Sequence, residues 1–221
     1  MVVLSIPLIK GTRVLVTAGA SGIGLRIAEV FAEAGASILI CDSSDSMLNS
    51  CQKDHPDWLY VKCNVSDEGD VTRLFNVTRE RLGGLDILVN NAGIAGPTGG
   101  IDELSSESWL ETVNINLNGQ FYCAKLAVPL LRASSNPSII AISSVAGRLG
   151  YAYRTPYAAT KWAIVGLAKS LAIELGQDGI RVNALLPGIV EGPRIEKVIA
   201  ARAQATGQSY EAMERAYIEK I

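Results

Sequence analysis

Short apolar runs alternate along this chain with segments of helical period, and no other feature narrows the fold as much. Residues 13–17, 37–41, 58–63, 85–90, 138–142 and 180–186 read as strands. Between them, 22–34, 46–53, 67–82, 105–132 and 156–175 read as helices, and the tail from Arg194, rich in Ala, Glu and Arg, as further helix. Ser105 is the N-cap candidate of its helix, and Gly83-Gly84 closes the helix before it. Strand–helix alternation predicts a parallel sheet covered on both faces. Ile38-Leu39-Ile40 and Ile87-Leu88-Val89 are apolar at every position, as strands buried on both sides must be. Right-handed crossovers wind such units into a doubly wound α/β sheet, three layers deep. Ligands of such sheets bind beyond the carboxyl ends of the strands, where strand order reverses.

Composition bounds what else the chain can be. Its 221 residues, 48% of them hydrophobic, suffice for one domain with a substantial core and are short for two. A net charge of −2 with no basic stripe argues against a nucleic-acid partner. Cys41, Cys51, Cys63 and Cys123 form no C-x-x-C pair and read as reduced thiols of a cytosolic protein. The single histidine, His55, sits before Pro56 in a polar stretch. A Ser-His-Asp hydrolase or a histidine-ligated zinc enzyme would depend on that one loop residue, so no metal is expected. The apolar start, 1–9, lacks a basic leader and meets Lys10 early, so it does not read as a signal peptide. No run is long enough to span a bilayer, and the expected location is cytoplasmic, without a membrane partner.

The first strand runs into Thr17-Ala18-Gly19-Ala20-Ser21-Gly22-Ile23-Gly24, where a helix begins. Glycines let backbone approach a pyrophosphate, and the helix start offers it free N–H groups and a positive dipole end. A glycine turn alone is weak evidence; placed after a strand and opening a helix, it indicates a dinucleotide site. Asp42 ends the second strand, 20 residues after Gly22 (42 − 22). An acid there hydrogen-bonds the ribose 2′-hydroxyl of NAD and repels the 2′-phosphate of NADP, and neither Ser43 nor Ser44 is basic. NAD is therefore expected ahead of NADP, the alternative being an Asp that merely caps the next helix.

Four segments together resemble the short-chain dehydrogenase/reductase family in its compact form. They are the glycine turn, Asn90-Asn91-Ala92-Gly93, Ser144 with Tyr157-Ala158-Ala159-Thr160-Lys161, and Pro187-Gly188, in the family's order over residues 17 to 188. The resemblance implies a single Rossmann-fold domain over 1–221, with the glycine turn at 17–24, an active-site segment at 144–161 and a substrate loop and helix at 188–217. It implies a reversible hydride transfer between NAD(H) and a secondary alcohol or ketone. Tyr157 and Lys161, four apart on one helix, share a face. Free tyrosine titrates near ~10; a lysine ammonium and a positive nicotinamide nearby favour the phenolate, so Tyr157 is the expected general acid/base. By resemblance Ser144 holds the substrate oxygen and Asn116 relays protons with Lys161 through water, with Asn114 and Asn118 as rivals. Cofactor contacts follow by the same likeness: Ala18, Ser21, Gly22, Ile23 and Gly24 at the phosphates, Asp42 at the ribose, Asn64 and Val65 at the adenine. Asn91, Ala92 and Gly93 lie on the adenosine side, Tyr157 and Lys161 at the nicotinamide ribose, and Pro187, Gly188, Ile189 and Val190 at the carboxamide.

Three positions depart from the family pattern. Ala18 stands for the first motif glycine, Asn64 for a common aspartate, and Gly192 for a hydroxyl residue. Relatives usually continue past residue 221 with another helix and a last strand, which leaves the homodimer or homotetramer expectation open. Arg148, Arg154 and Arg194 are candidate anchors for a substrate carboxylate or phosphate; Tyr151 and Tyr153 are candidates for an apolar wall. Three other readings compete: a catalytically silent NAD-binding regulator, a 3-oxoacyl thioester reductase using NADPH, and a sugar-nucleotide epimerase. The epimerase branch has a differently spaced glycine turn and a larger C-terminal region.

Overall fold

Six strands form the sheet of the computed structural model, which describes residues 10–219. They are β1 (Arg13–Thr17), β2 (Ser37–Asp42), β3 (Leu59–Lys62), β4 (Ile87–Asn90), β5 (Ser138–Ile142) and β6 (Arg181–Leu185). Their order is β3-β2-β1-β4-β5-β6, every neighbour parallel. The chain winds outward from β1 to β3 and then returns to the far side of β1. Strand order therefore reverses between β1 and β4, where a crevice opens beyond their carboxyl ends. The apolar stretch 1–9 and the last two residues lie outside the described part.

Alternate strand residues face two helical layers. Leu15, Leu39, Leu88 and Ile139 pack with Val71, Leu74 and Phe75 of α3 (Glu68–Val77), Cys123 and Leu131 of α5 (Gly119–Leu131), and Ile164 of α6 (Thr155–Glu174). Val14, Val16, Ile38, Ile40 and Val89 face the other way, onto Ala28 of α1 (Gly22–Glu33) and Leu48 of α2 (Asp45–Asp54). Burying each such Leu, Ile or Val contributes roughly 1.5–3 kcal/mol. A third, smaller cluster holds α7 (Pro193–Thr206) to α8 (Tyr210–Ile218) and reaches Ala95 and Tyr151.

Three helical readings need correction. The stretch 105–132 is two helices, α4 (Ser106–Val113) and α5, joined by a wide turn over Asn114–Asn118. Asparagine side chains that bond across or out of that turn favour this local widening. The stretch 67–82 likewise ends in a wide turn, Thr78–Leu82. The tail breaks at Gly207, whose φ of +65° suits glycine, into α7 and α8. Ser105 does cap α4, its hydroxyl accepting from the Ser108 amide at 3.1 Å.

One side chain ties the two strands that flank the crevice. The Thr17 hydroxyl accepts from the amides of Asn91 and Ala92, both at 2.9 Å, and Thr17 is 1% exposed. Replacing it with valine keeps the shape but leaves two amides unpaired, each worth about 1–3 kcal/mol. Thr17→Val should lower unfolding stability by about 2 kcal/mol or more in urea titration; a loss under 0.5 kcal/mol would mean the tie is dispensable.

Candidate active site

The glycine turn closes on the β4 loop. Asn91 donates its side-chain amide to the carbonyls of Thr17 (2.9 Å) and Ala18 (3.0 Å). A side chain at Gly24 would collide with those same groups, and one at Gly19 would stand 2.7 Å from Ile40. Gly22, at φ +54°, faces open space. Ser21 precedes α1 without capping it, and the first turn carries no acid. The helix start is thus exposed and positive, with its N–H groups free of any side-chain cap, which fits a pyrophosphate. Ile23, 36% exposed, stands at the rim.

Ala18 adopts φ +48°, a conformation that costs an L-residue roughly 1–2 kcal/mol. The alanine fits, yet under strain that glycine would lack. Ala18→Gly should leave Tm unchanged or raise it, although Ala→Gly elsewhere usually lowers it. A drop of several degrees in a melting curve would show that the turn is unstrained.

Asp42 ends β2, 8% exposed, with one carboxylate oxygen accepting from the Ser44 amide at 3.1 Å. It does not cap the next helix; the Ser44 hydroxyl does, accepting from Met47. The sequence neighbours of Asp42 are not basic, but β-register sets Lys62 beside it, and that ammonium pairs with Asp45. The Asn64 side chain turns back to accept from the Ser66 amide and hydroxyl, and buried Val65 fills the space against Gly119. Val145 donates to the Pro187 carbonyl at 3.0 Å, which brings Pro187-Gly188 beside Ser144; Val190 beyond is half exposed.

At the carboxyl end of β5 lie several of the side chains that the sequence singles out. Lys161 is 3% exposed, and its amino group donates to the Ile142 carbonyl at 2.9 Å and lies 5.6 Å from the Tyr157 ring centre. A Cβ at Gly93 would stand 3.1 Å from Asn116 Oδ1 and 3.5 Å from Lys161 Nζ, so both side chains pack close against Gly93. Buried Asn116 accepts from the Ile94 amide (2.7 Å) and donates to the Ile94 carbonyl and the Thr160 hydroxyl. Its rivals Asn114 and Asn118 bond each other on the exposed side. The Ser144 hydroxyl accepts from the Ala146 amide at 3.2 Å. The Ser143 hydroxyl is directed elsewhere, donating to the Lys161 carbonyl at 2.7 Å. Gly147 packs so closely there that a Cβ would stand 2.7 Å from that carbonyl. His55 takes no part, stacking on Trp58. No group of three metal-ligating side chains occurs among the described residues.

Strand alternation aims Ser143 at the face opposite Ser144, and its bond to the Lys161 carbonyl agrees. Sequence reasoning gave no role to Thr17, Gly147 or Thr160, whose contacts join distant segments that no local pattern announces. It named Arg154 only as a possible anchor. The guanidinium is buried at 2% exposure and lies 5.2 Å from the Tyr157 ring centre. Its place three residues before Tyr157 was the available signal.

Burial, and secondarily the Arg194 charge, push Lys161 down to about 7 from its ordinary value near 10.5. The folded chain then binds fewer protons than the unfolded chain between pH 7 and 10.5, so this group makes stability rise with pH over that range. Buried thiols, raised above their usual value, oppose it once pH passes their ordinary ~8.5. Between pH 7 and 8.5 the nucleotide-free protein should gain stability, and Lys161→Met should flatten that rise. Parallel pH profiles of the two would refute the account.

A doubly wound sheet with a glycine turn at its switch point, and a tyrosine–lysine pair beside a serine, defines a Rossmann-type oxidoreductase. The family profile described as "short chain dehydrogenase" matches residues 12–203. The chain is 37% identical over 196 residues to L-fucose dehydrogenase of Bos taurus, covering 89% of this chain and 72% of that protein. It is 38% identical over 189 residues to trans-4-hydroxycyclohexanecarboxylate dehydrogenase of Sinomonas cyclohexanicum, covering 81% and 72%. Among solved structures, levodione reductase superposes with a TM-score of 0.83 at 31% identity, over 89% of this chain and 79% of that one. An actinorhodin polyketide ketoreductase variant solved with NADPH gives 0.86 at 33%, over 91% and 79%. The chain belongs to the short-chain dehydrogenase family. Among the described residues, no helix is long and apolar enough to cross a membrane.

Proposed function

We propose that this protein interconverts a secondary alcohol and a ketone with NAD, using Tyr157 as general acid/base. The observation that carries the reading is the buried Lys161 amino group, held by the Ile142 carbonyl at the end of β5, 5.6 Å from the Tyr157 ring centre. A nicotinamide dinucleotide, when bound, supplies the hydride acceptor or donor. The residues that would hold it are the turn Ala18–Gly24, Asp42, Asn64, Val65, Asn91, Ala92, Gly93, Lys161 and the Pro187–Val190 loop.

In the oxidation direction Tyr157 takes the proton from the substrate hydroxyl, and in reduction it returns one to the carbonyl oxygen. The Lys161 cation stabilises charge as it develops on the phenol oxygen. Ser144, with its hydroxyl hydrogen uncommitted while its oxygen accepts from Ala146, donates to the substrate oxygen. Asn116 keeps Lys161 and Gly93 in register and relays protons with Lys161 through water. The printed names of the relatives and neighbours, dehydrogenases of L-fucose and of a hydroxycyclohexanecarboxylate and two ketone reductases, support this reaction class. The NADPH in one neighbour's title supports a second reading, a 3-oxoacyl reductase using NADPH. Asp42 favours the first. Self-association belongs to the same reading, since Leu110, Phe121 and Trp162 stand half exposed on α4, α5 and α6.

Tyr157→Phe should lower kcat by roughly 10²–10⁴-fold while NADH affinity stays within several-fold. Near-normal kcat in a nicotinamide absorbance assay would remove the mechanism. Asp42→Ala should narrow the NAD-over-NADP preference in kcat/KM, and an unchanged ratio would mean that another group reads the ribose.

A further inference from the structure

We propose that the cleft beside Tyr157 selects substrates that carry a carboxylate, held by Arg154, Arg194 and Lys197 at a distance from the reacting carbon. The proposal rests on the alcohol/ketone reading above and adds the substrate's chemical class.

A cavity of about 370 Å³ lies between the loop after β4 and the first turns of α7. Ala95, Thr98, Arg154, Arg194, Lys197 and Val198 line it, and none of its lining residues is acidic. None comes from the glycine turn or from β2, the segments assigned to the dinucleotide. Its apolar members give a hydrocarbon spacer somewhere to lie.

Arg154 is the strongest part of the case. Its side chain is buried, and among the described residues it makes one hydrogen bond, to the Ala95 carbonyl at 2.6 Å. Nε and Nη1 have no partner among the described residues, and no carboxylate faces the charge. Buried guanidinium groups are ordinarily paired, because an uncompensated buried cation is strongly destabilising. Stacking on Tyr151 and Tyr157, at 5.5 and 5.2 Å, gives a partial explanation. It leaves the two free donors unused and does not explain why Arg194 and Lys197 face the same space. Among the described residues neither of these has an ion-pair partner. Tyr153, just before Arg154, is held at φ +63°, a conformation that non-glycine residues seldom keep without a reason. It receives the Gly99 N–H on its carbonyl, which fixes the loop that delivers Arg154 to the cavity.

The position also has a consequence for the chemistry. The Arg154 guanidinium stacks on the reacting tyrosine itself, so an anion bound to it lies near the phenol but not on it. A carboxylate near Arg194 also offsets the charge that, with burial, holds Lys161 down.

The test uses cyclohexanecarboxylate, which has no hydroxyl to oxidise, against cyclohexanecarboxamide of nearly the same shape. Both are titrated calorimetrically into the full chain saturated with NADH. The carboxylate should bind at least tenfold tighter. Arg194→Gln with Lys197→Gln, both exposed positions, should weaken it tenfold or more and leave NADH affinity within threefold. Arg154→Lys, which keeps the charge but not the donor set, should weaken it severalfold. Equal affinity for acid and amide, no binding of either at millimolar concentration, or a double variant that loses NADH instead would each overturn the proposal. A parallel assay compares hydroxy acids with their methyl esters. Equal kcat/KM for the esters removes the anion site and leaves the oxidoreductase standing. Absence of turnover with every alcohol and ketone removes the oxidoreductase, and calorimetry then decides the cavity alone.

Discussion

A lysine buried with no carboxylate partner among the described residues is the constraint around which this structure is arranged. Lys161 has to find a polar partner inside the protein, and the Ile142 carbonyl at the end of β5 provides it. Only at a strand's carboxyl end does a parallel sheet release a carbonyl from its ladder into a crevice. That choice sets the register of α6, and the Ser143 hydroxyl on the Lys161 carbonyl locks it. Tyr157, one turn earlier on α6, is then carried to the mouth of the cleft rather than into the core. The wide turn before α5 supplies Asn116 to the opposite wall, with Gly93 small enough to lie between.

The same cleft is rich in positive charge and poor in negative charge. Burial, and after it the Arg194 charge, lower both Lys161 and Arg154 from their ordinary values. Such a site is uncomfortable when empty and suited to anionic occupants. The α7–α8 pair closes one side of it. Tyr217 shares a hydrogen bond with Tyr151, and Arg202 lies over the Tyr151 ring at 5.1 Å. The helices that cover the cavity are therefore fastened to the loop that carries Arg154.

Much of this was legible from sequence because it depends on local pattern. Uninterrupted runs such as Ile87-Leu88-Val89 announce strands covered on both faces, and the Thr17–Gly24 turn announces where the first crossover starts. The four-residue spacing of Tyr157 and Lys161 places them on one helix face before any coordinates exist. The widened turn at Asn114–Asn118 was not legible, because the partners that hold Asn116 in it, Ile94 and Thr160, are distant in sequence. Nor was the Thr17 tie across 74 residues, or Lys62 beside Asp42, which β-register alone creates. Arg154 looked like one of several surface arginines, and only its burial between two tyrosine rings distinguishes it.

The central claim is that this cleft moves a hydride while Tyr157 handles the proton, and the fate of one deuterium tests it most directly. NADH labelled at the transferable ring carbon is incubated with the protein and a panel of cyclic ketones and oxo acids, and the products are read by mass spectrometry. The account predicts an alcohol that carries the deuterium on its carbinol carbon, with the label lost from the nucleotide in equal amount. Tight NADH binding with the label left wholly on the nucleotide, across the panel, would contradict it.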